Sequence, residues 1–379
     1  FVQIGGKVIG ALISVLIVKL ITNFLGVAGY GQYVSVYEFL AFFGIIADFG
    51  LFTIGVREMA NDESKQDFIF GNILSLRMIL AVMAIAAAVG AAFLIPQYET
   101  TYIPVGVAVA SLSVFFGILN GTVSSVLQLH LKMQYPTIGL VIGKIVSFGI
   151  MVYVVLYGYA GNPSAEGFNQ LLWAGVVGNF VMMVYTWFYA AKFGTVRFRF
   201  DFDYWKSTLW KAAPYGVALM LNMVYLRLGS ILLLLMKSPE EVGLYGVPAR
   251  ILDILSIIPI YFMNSVLPVL TRKLKDGVDQ AAPVLQHSLD FLVALGMPIM
   301  VGAQVLAYPL IFVVSSPEFL SRLSEGFYWS DVALRILAVS MLFAFVSNVF
   351  NFTLIALGHQ GKLLYVSAVG AAVNVALNL

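Results

Sequence analysis

Long, unbroken apolar runs limit the folds open to this chain. Runs near or above the ~20 residues that a helix needs to cross a hydrocarbon layer roughly 30 Å thick recur along all 379 positions. Their approximate limits are 2–25, 33–57, 69–95, 104–129, 136–158, 169–191, 210–236, 247–271, 285–314, 332–357 and 363–379. Because the runs lack the alternation of β-barrel strands, the sequence predicts an all-α polytopic membrane protein with about eleven spans.

Composition excludes several other classes of protein. Hydrophobic residues make up 61% of the chain and charged residues 11%, too few charges to cover a soluble globule of this size. A net charge of +2 does not favour nucleic acid as a partner. There is no cysteine, and the three histidines lie far apart in sequence, so neither a disulfide nor a metal site is expected.

Basic residues are concentrated in alternate loops. Five such loops, all placed on one side of the membrane by the predicted spans, contain Lys65, Lys132, Lys206, Lys273 and Lys362. Cytoplasmic loops carry an excess of lysine and arginine. The pattern therefore predicts a multi-pass protein of the cell membrane with its N-terminus in the cytoplasm.

An internal repeat divides the chain. Gly31-Gln32-Tyr33 after the first span matches Gly243-Leu244-Tyr245 after the seventh, 212 positions later. The polar stretch 192–211 lies between six spans and the remaining five. We therefore expect two pseudo-symmetric six-helix bundles, residues 1–198 and 199–379, with a last helix missing from the second.

Several short sequence motifs are spread along nearly the whole chain. They are Phe24-Leu25-Gly26-Val27-Ala28-Gly29-Tyr30-Gly31-Gln32-Tyr33, Ala47-Asp48-Phe49-Gly50-Leu51, Arg57-Glu58-Met59-Ala60, Val242-Gly243-Leu244-Tyr245, Val266-Leu267-Pro268-Val269-Leu270, Ala356-Leu357-Gly358-His359-Gln360-Gly361-Lys362 and Asn374-Val375-Ala376-Leu377-Asn378. Together they resemble the polysaccharide-exporting flippases of the multidrug/oligosaccharidyl-lipid/polysaccharide exporter superfamily.

The resemblance implies a fold and a function. It implies two six-helix bundles around a central cavity that opens alternately to the two sides and moves a polyprenyl-pyrophosphate-linked oligosaccharide outward. Membrane lipids and polysaccharide assembly enzymes are the other expected partners, and no enzymatic activity is expected. Many relatives have an acidic residue immediately before a basic one in the seventh helix, whereas this chain has Leu226 before Arg227, which puts a coupling role for that acid in doubt.

Cations inside spans are the first candidates for a substrate site. A charge in a span costs about 2.5–3.5 kcal/mol on insertion scales, so it usually faces a cavity or a partner. The repeat places Arg227 one helical turn from Lys19 at similar depth, and together they predict a cationic cavity for a pyrophosphate. Lys7 either extends this cationic surface near the cytoplasmic mouth or snorkels to the membrane interface. Lys144 either lines the cavity or snorkels to the interface.

Acidic residues inside spans are candidates for charge balance, coupling or gating. Asp48 either pairs with a basic residue or binds a coupling proton or cation, and Asp253 could do the same beside the helix-loosening prolines of its span. The 212-residue offset maps Glu38 onto Arg250, so we predict that this pair forms an outer gate; alternatively, each finds water or lipid in the outer headgroup layer. No cofactor is expected beyond a coupling proton or sodium ion.

Two other function classes remain. An ion-coupled exporter of drugs or small molecules would use the same fold, because a fold does not identify its cargo. A membrane-embedded glycosyltransferase would need a base or metal site in a sizeable outer loop, and the longest, 315–331, offers only scattered acidic residues. A cationic cavity favours an anionic cargo over cationic drugs.

Overall fold

The computed structural model describes residues 2–159, 164–194, 197–322, 326–327, 329–357 and 359–378. Twelve α-helices run through these residues. They are α1 (Val2–Asp48), α2 (Leu51–Asn61), α3 (Gln66–Leu94), α4 (Ile103–Leu129), α5 (Gln134–Tyr153, continued by a π-helical turn to Gly158), α6 (Ala165–Ala190), α7 (Phe202–Met236), α8 (Pro239–Leu255), α9 (Ile257–Asp276), α10 (Val278–Val314), α11 (Ser330–Ala356) and α12 (Gln360–Asn378).

Most of these helices are long enough to span a membrane. Eight helical segments among the described residues have the required length and hydropathy. The first, residues 5–61, has 57 residues and turns at Gly26, whose φ of 65° lies in the left-handed region that glycine tolerates. The predicted spans 2–25 and 33–57 leave residues 26–32 between them as a connection. In the structure helical conformation resumes at once after Gly26, so the turn is a single residue. The prediction of an all-α membrane fold is confirmed.

Two predicted spans are interrupted. The second breaks after Asp48, where Phe49 and Gly50 have φ values of 41° and 76°, and it continues as α2. The eighth is divided into α8 and α9 at Ser256. Pro259 follows three residues later and cannot donate a backbone hydrogen bond to the preceding turn, which accounts for the break.

The helices form two groups. In the first half, α1 packs against α3, α4 and α5, and α6 packs against α4 and α5. In the second half, α10 packs against α9 and α11, α11 also contacts α8, and α7 packs against α12. The main contacts between the halves join α1 to α8 and to α7.

The hydrophobic cores differ between the two ends of the molecule. We call the end that carries the loops after α2, α4, α6 and α9 the basic end, and the other, with the turn at Gly26, the opposite end. At the opposite end one core is shared by both halves and buries Phe24, Tyr30, Phe168, Val242 and Phe319. Towards the basic end each half also has a core of its own, around Leu74 in the first and Phe345 in the second, and a small core around Trp205 joins α2 and α3 to α7. The halves are therefore joined most closely at the opposite end.

Candidate functional site

A cavity lies between α1 of the first half and α8 and α9 of the second. Its mouth, about 880 Å³, lies at the basic end and is lined by residues such as Gln3, Gln134 and Ser265. A middle part of about 470 Å³ and an inner part of about 180 Å³ follow. Neighbouring parts share lining residues, Tyr261 between the first two and Val15 between the last two. We call the whole the central cavity.

The walls of the central cavity are apolar, with a cation towards each end. Leu12, Val15 and Ile258 are among the side chains of the middle part. Lys7 lies at its outer edge, with the ammonium 5.0 Å from the centroid of the Tyr261 ring. Lys7 is exposed and lines the cavity.

Arg250 marks the inner end of the central cavity. Its guanidinium lies 3.6 Å from the Asp253 carboxylate on the same helix, with the two side chains 40% and 52% exposed. Both residues line the cavity. On its other side Arg250 interacts with the Tyr30 hydroxyl and, electrostatically, with Glu38 of α1.

Lys144 of α5 lines a separate pocket of about 180 Å³ between α5 and α6, next to the inner part of the central cavity. Its ammonium donates to the Gly10 carbonyl at 2.8 Å and to the Ser14 hydroxyl. Ser14 itself lines the inner part of the central cavity, and the charges of Lys144 and Arg250 interact. Sequence reasoning weighed Lys144 only as a cavity-lining or snorkelling residue, because no spacing relates it to a residue of the other half.

Lys19 lies at the opposite end. Its ammonium donates to the carbonyl oxygens of Phe312 and Ser315, at 2.7 and 2.6 Å, where α10 ends. Cations stabilise helix C-termini because the last carbonyls lack partners and carry partial negative charge. Lys19 thus links α1 to the second half, and it does not line the described parts of the central cavity.

Asp48 forms an ion pair with Arg77 of α3. Arg77 is 4% exposed and also donates to the Thr122 hydroxyl of α4 at 2.7 Å. The pair neutralises a buried cation next to the helix break at Phe49, which fits the first of the two roles predicted for Asp48. Arg77 therefore lies inside the first half and is no part of a loop at the basic end.

Arg227 and Glu38 are the other charged residues that the sequence predicts for the site. Arg227 belongs to α7, but its side chain lies outside the described residues, so its relation to Lys19 stays a prediction. Glu38 is 6% exposed and lies on α1 beside the inner end of the central cavity. In the described part of the chain, no three histidine or acidic side chains lie together as metal ligands would.

The central cavity is closed at the opposite end by direct backbone contact. Gly31 of α1 lies against α8 so closely that a Cβ built on it would come within 1.6 Å of the Pro239 carbonyl oxygen and 3.0 Å of the Gly243 nitrogen. A Cβ on Gly243 would in turn lie 2.5 Å from the Val27 carbonyl oxygen. The two glycines paired by the internal repeat therefore touch each other where the halves meet.

Several solved structures share this fold. A multidrug resistance transporter of the MATE family, in an inward-facing conformation, has a TM-score of 0.73 and 11% identity, covering 97% of this chain and 86% of its own. The lipid II flippase MurJ, in an inward closed conformation, has a TM-score of 0.73 and 14% identity, covering 100% and 79%.

A transporter from Pyrococcus furiosus is also similar, and it is described as having a binding pocket of reverse polarity. Its TM-score is 0.62 at 13% identity, covering 97% of this chain and 82% of its own. These proteins belong to the MOP superfamily and are transporters or flippases.

A family model provides the sequence relationship. No curated protein matches the chain. The model described as "Polysaccharide biosynthesis protein" matches residues 1–273, well over half of the chain. The chain therefore belongs to the polysaccharide biosynthesis protein family and has the fold of MOP superfamily transporters.

Proposed function

We propose that this protein is an alternating-access flippase that moves a polyprenyl-pyrophosphate-linked oligosaccharide across the cell membrane. The observation that carries the proposal is the central cavity, which is apolar along its walls, has Lys7 of the first half near its mouth and Arg250 of the second half at its inner end, and has Lys144 next to that inner end. A lipid-linked oligosaccharide pairs an apolar chain with a compact anion. The cavity is complementary to both parts.

The pyrophosphate would lie between Arg250 and Lys144. An arginine fork and an ammonium can supply several charge-assisted hydrogen bonds to phosphate oxygens. Arg250 is paired with Asp253, and Lys144 donates hydrogen bonds to Ser14 and Gly10. On binding, the pyrophosphate oxygens would replace these partners. Lys7 would meet the ligand first, at the mouth.

Direction of transport follows from the orientation in the membrane. With the basic end in the cytoplasm, as the positive-inside rule predicts, the central cavity opens inward and is closed outward at Gly31 and Gly243. In this arrangement the N-terminus is cytoplasmic, and residues 1–198 and 199–379 rock against each other. Asp253, half exposed in the cavity, is the carboxylate best placed to bind a coupling proton or sodium ion.

A small-molecule exporter is the second candidate. The middle part of the central cavity is nearly all apolar, which suits a hydrophobic drug as well as a lipid chain. The cations at the inner end favour an anionic compound in that case.

Reconstituted vesicles distinguish the two functions. A fluorescent sugar linked through pyrophosphate to a polyprenyl chain should be flipped by the wild-type protein, and Arg250→Gln with Lys144→Gln should reduce the rate at least tenfold, because a charged hydrogen bond contributes about 1.5–3 kcal/mol. Lys65→Gln, which removes an exposed charge paired with Asp62, is the matched control. Unchanged flipping by the double variant would contradict the proposed site, and export of small anions without lipid flipping would favour the second candidate.

A further inference from the structure

The segment joining the two halves runs along α3 in an extended conformation. Residues 197–201 have no helical structure, and the segment alternates arginine with phenylalanine over Arg197-Phe198-Arg199-Phe200. Its backbone is fixed at two points. The Arg199 nitrogen donates to the Gly71 carbonyl at 3.2 Å and to the Ser75 hydroxyl at 3.2 Å, and the Asp201 nitrogen donates to the Asn72 side-chain oxygen at 2.8 Å. We call residues 197–202 the strap.

The strap lies below the helix ends at the basic end. Gly71 and Ser75 are five and nine residues from the start of α3, which corresponds to depths of roughly 7 and 13 Å at about 1.5 Å per residue. Phe198 lies against Trp187 of α6, with ring centroids 6.5 Å apart. Trp187 precedes Lys192 by five residues, so Phe198 lies roughly 7 Å below the backbone of Lys192.

Lys192 marks the level of the lipid headgroups on α6. The exposed residues Phe180, Val184 and Phe188 follow one another at intervals of four on this helix, so they form a single lipid-facing stripe. Lys192 continues the stripe, with its ammonium 4.4 Å from the centroid of the Phe188 ring. The ammonium also lies over the Tyr189 ring, so the charge lies about level with Trp187 and with Phe198 beside it, as a lysine does where headgroups and acyl chains meet.

The side chains of the strap are those of an interfacial segment. Phe198, Phe200 and Phe202 are 45, 60 and 75% exposed, an unusual amount for phenylalanine in a segment fixed by hydrogen bonds. Arg197 and Arg199 alternate with them. The nearest acidic residue, Asp201, accepts a hydrogen bond from the Tyr204 nitrogen and caps α7, so part of its charge is engaged by the helix N-terminus.

We propose that the strap is a docking surface for anionic phospholipids of the leaflet at the basic end. The three phenylalanine rings enter the boundary between headgroups and acyl chains, and Arg197 and Arg199 bind lipid phosphates. The buried polar side chains of Asn72 and Ser75 satisfy the backbone of the strap, as a backbone at this depth requires. This inference is independent of the transported substrate.

Spin labels measure the depth of the strap. Because the chain has no cysteine, Phe200→Cys and Phe202→Cys can each carry one nitroxide in vesicles. We expect both labels to be more accessible to oxygen than to a water-soluble nickel chelate, like a label at Val184 on α6 and unlike one at Lys65. Nickel accessibility equal to that at Lys65 would place the strap in water, leave it free for a soluble protein partner and overturn the proposal.

Lipid selectivity tests the charge of the surface. The protein purified from vesicles containing phosphatidylglycerol and phosphatidylcholine should retain phosphatidylglycerol preferentially, as measured by native mass spectrometry. Each cation near an anionic leaflet adds about fivefold in affinity, so Arg197→Gln with Arg199→Gln should lower the preference roughly 10- to 30-fold. Lys65→Gln with Lys273→Gln removes the same charge elsewhere at the basic end and should lower the preference several-fold less, because neither lysine belongs to the strap. Equal losses in the two double variants would overturn the proposal.

Discussion

The two ends of the molecule hold the halves together in different ways. At the opposite end the backbones of α1 and α8 touch at Gly31 and Gly243, one hydrophobic core spans both halves, and Lys19 binds the end of α10. At the basic end the halves contact each other beside the linker. There a small core around Trp205 joins α7 to α2 and α3, and Glu58 of α2 accepts hydrogen bonds from Tyr204 and Lys211 of α7. Between α1 and α9 that end is occupied by the mouth of the central cavity.

This difference shows which contacts must change during transport. To open the opposite end, the protein must separate closely packed backbone, whereas closing the basic end requires only that apolar cavity walls meet. The structure is therefore one of two states, and substitutions at the two ends should shift the equilibrium in opposite directions. Distances between spin labels on paired cysteines report both ends. Gln3 and Ser265 flank the mouth, and Asn23 and Glu240 are exposed on α1 and α8 at the opposite end.

The largest effect is expected from Gly31→Ala. The added methyl would lie 1.6 Å from the Pro239 carbonyl oxygen, a backbone atom that no change of side-chain rotamer can move away. Overpacking costs about 1–3 kcal/mol, enough to favour the state with the opposite end open by roughly fivefold or more. The distance between labels at Asn23 and Glu240 should increase. Gly117→Ala, where the added atom meets nothing within 4 Å, is the control; an unchanged distance in Gly31→Ala would mean that this contact does not hold the end closed.

The second-largest effect, a few kcal/mol at most, is expected from charge reversal at Glu38 or Arg250. If they form a gate, Glu38→Arg or Arg250→Glu alone should increase the population with the opposite end open, because two like charges then share a partly buried site. Exchanging both residues should restore the wild-type distance between Asn23 and Glu240. Failure of the double exchange to compensate would remove the gate and leave Arg250 with its cavity role alone.

Lys19→Met should have an intermediate effect. The methionine keeps the apolar stem over Phe312 but loses both hydrogen bonds to the end of α10. Hydrogen bonds from charged groups contribute about 1.5–3 kcal/mol, and less where one partner is exposed, so the opposite end should open several-fold more often. Loss of lipid flipping without any change in the label distances would instead support the substrate-binding role that the sequence predicts for Lys19.

The smallest effect is expected at the basic end, from Glu58→Gln. It weakens the contacts with Tyr204 and with Lys211, whose side chain is 58% exposed, and an exposed ion pair contributes about 0–1 kcal/mol. The distribution of distances between labels at Gln3 and Ser265 should broaden slightly while the opposite end stays closed. Asp62→Asn removes an exposed pair with Lys65 and serves as the control. A shift as large as that of Gly31→Ala would show that the two ends are held equally strongly.

Sequence patterns predicted the spans well because hydrophobicity decides where a chain crosses a membrane. The run 104–129 corresponds to α4, Ile103–Leu129, and 332–357 to α11, Ser330–Ala356. Helix extensions beyond the apolar run were missed, as in α7, which begins at Phe202 with polar residues that pack against α2 and α3. Such ends depend on tertiary contacts that composition does not encode.

The site was predictable only in part. Position within the spans identified Lys7 and Lys19, and the internal repeat identified Arg250 through Glu38, but neither signal shows which groups the three cations contact. Lys19 reaches Phe312 and Ser315, nearly 300 positions away, and such a contact leaves no local pattern. The repeat paired Gly31 with Gly243 by offset, whereas their direct contact follows from the way the two halves face each other.

One measurement tests alternating access most directly. Label pairs at Gln3 with Ser265 and at Asn23 with Glu240 should be measured in vesicles with and without the lipid-linked pyrophosphate ligand, under conditions that allow transport. The account predicts a reciprocal change, in which the first distance shortens as the second lengthens. Distances that stay constant under turnover, or that both lengthen together, would contradict a cavity that opens to one side at a time.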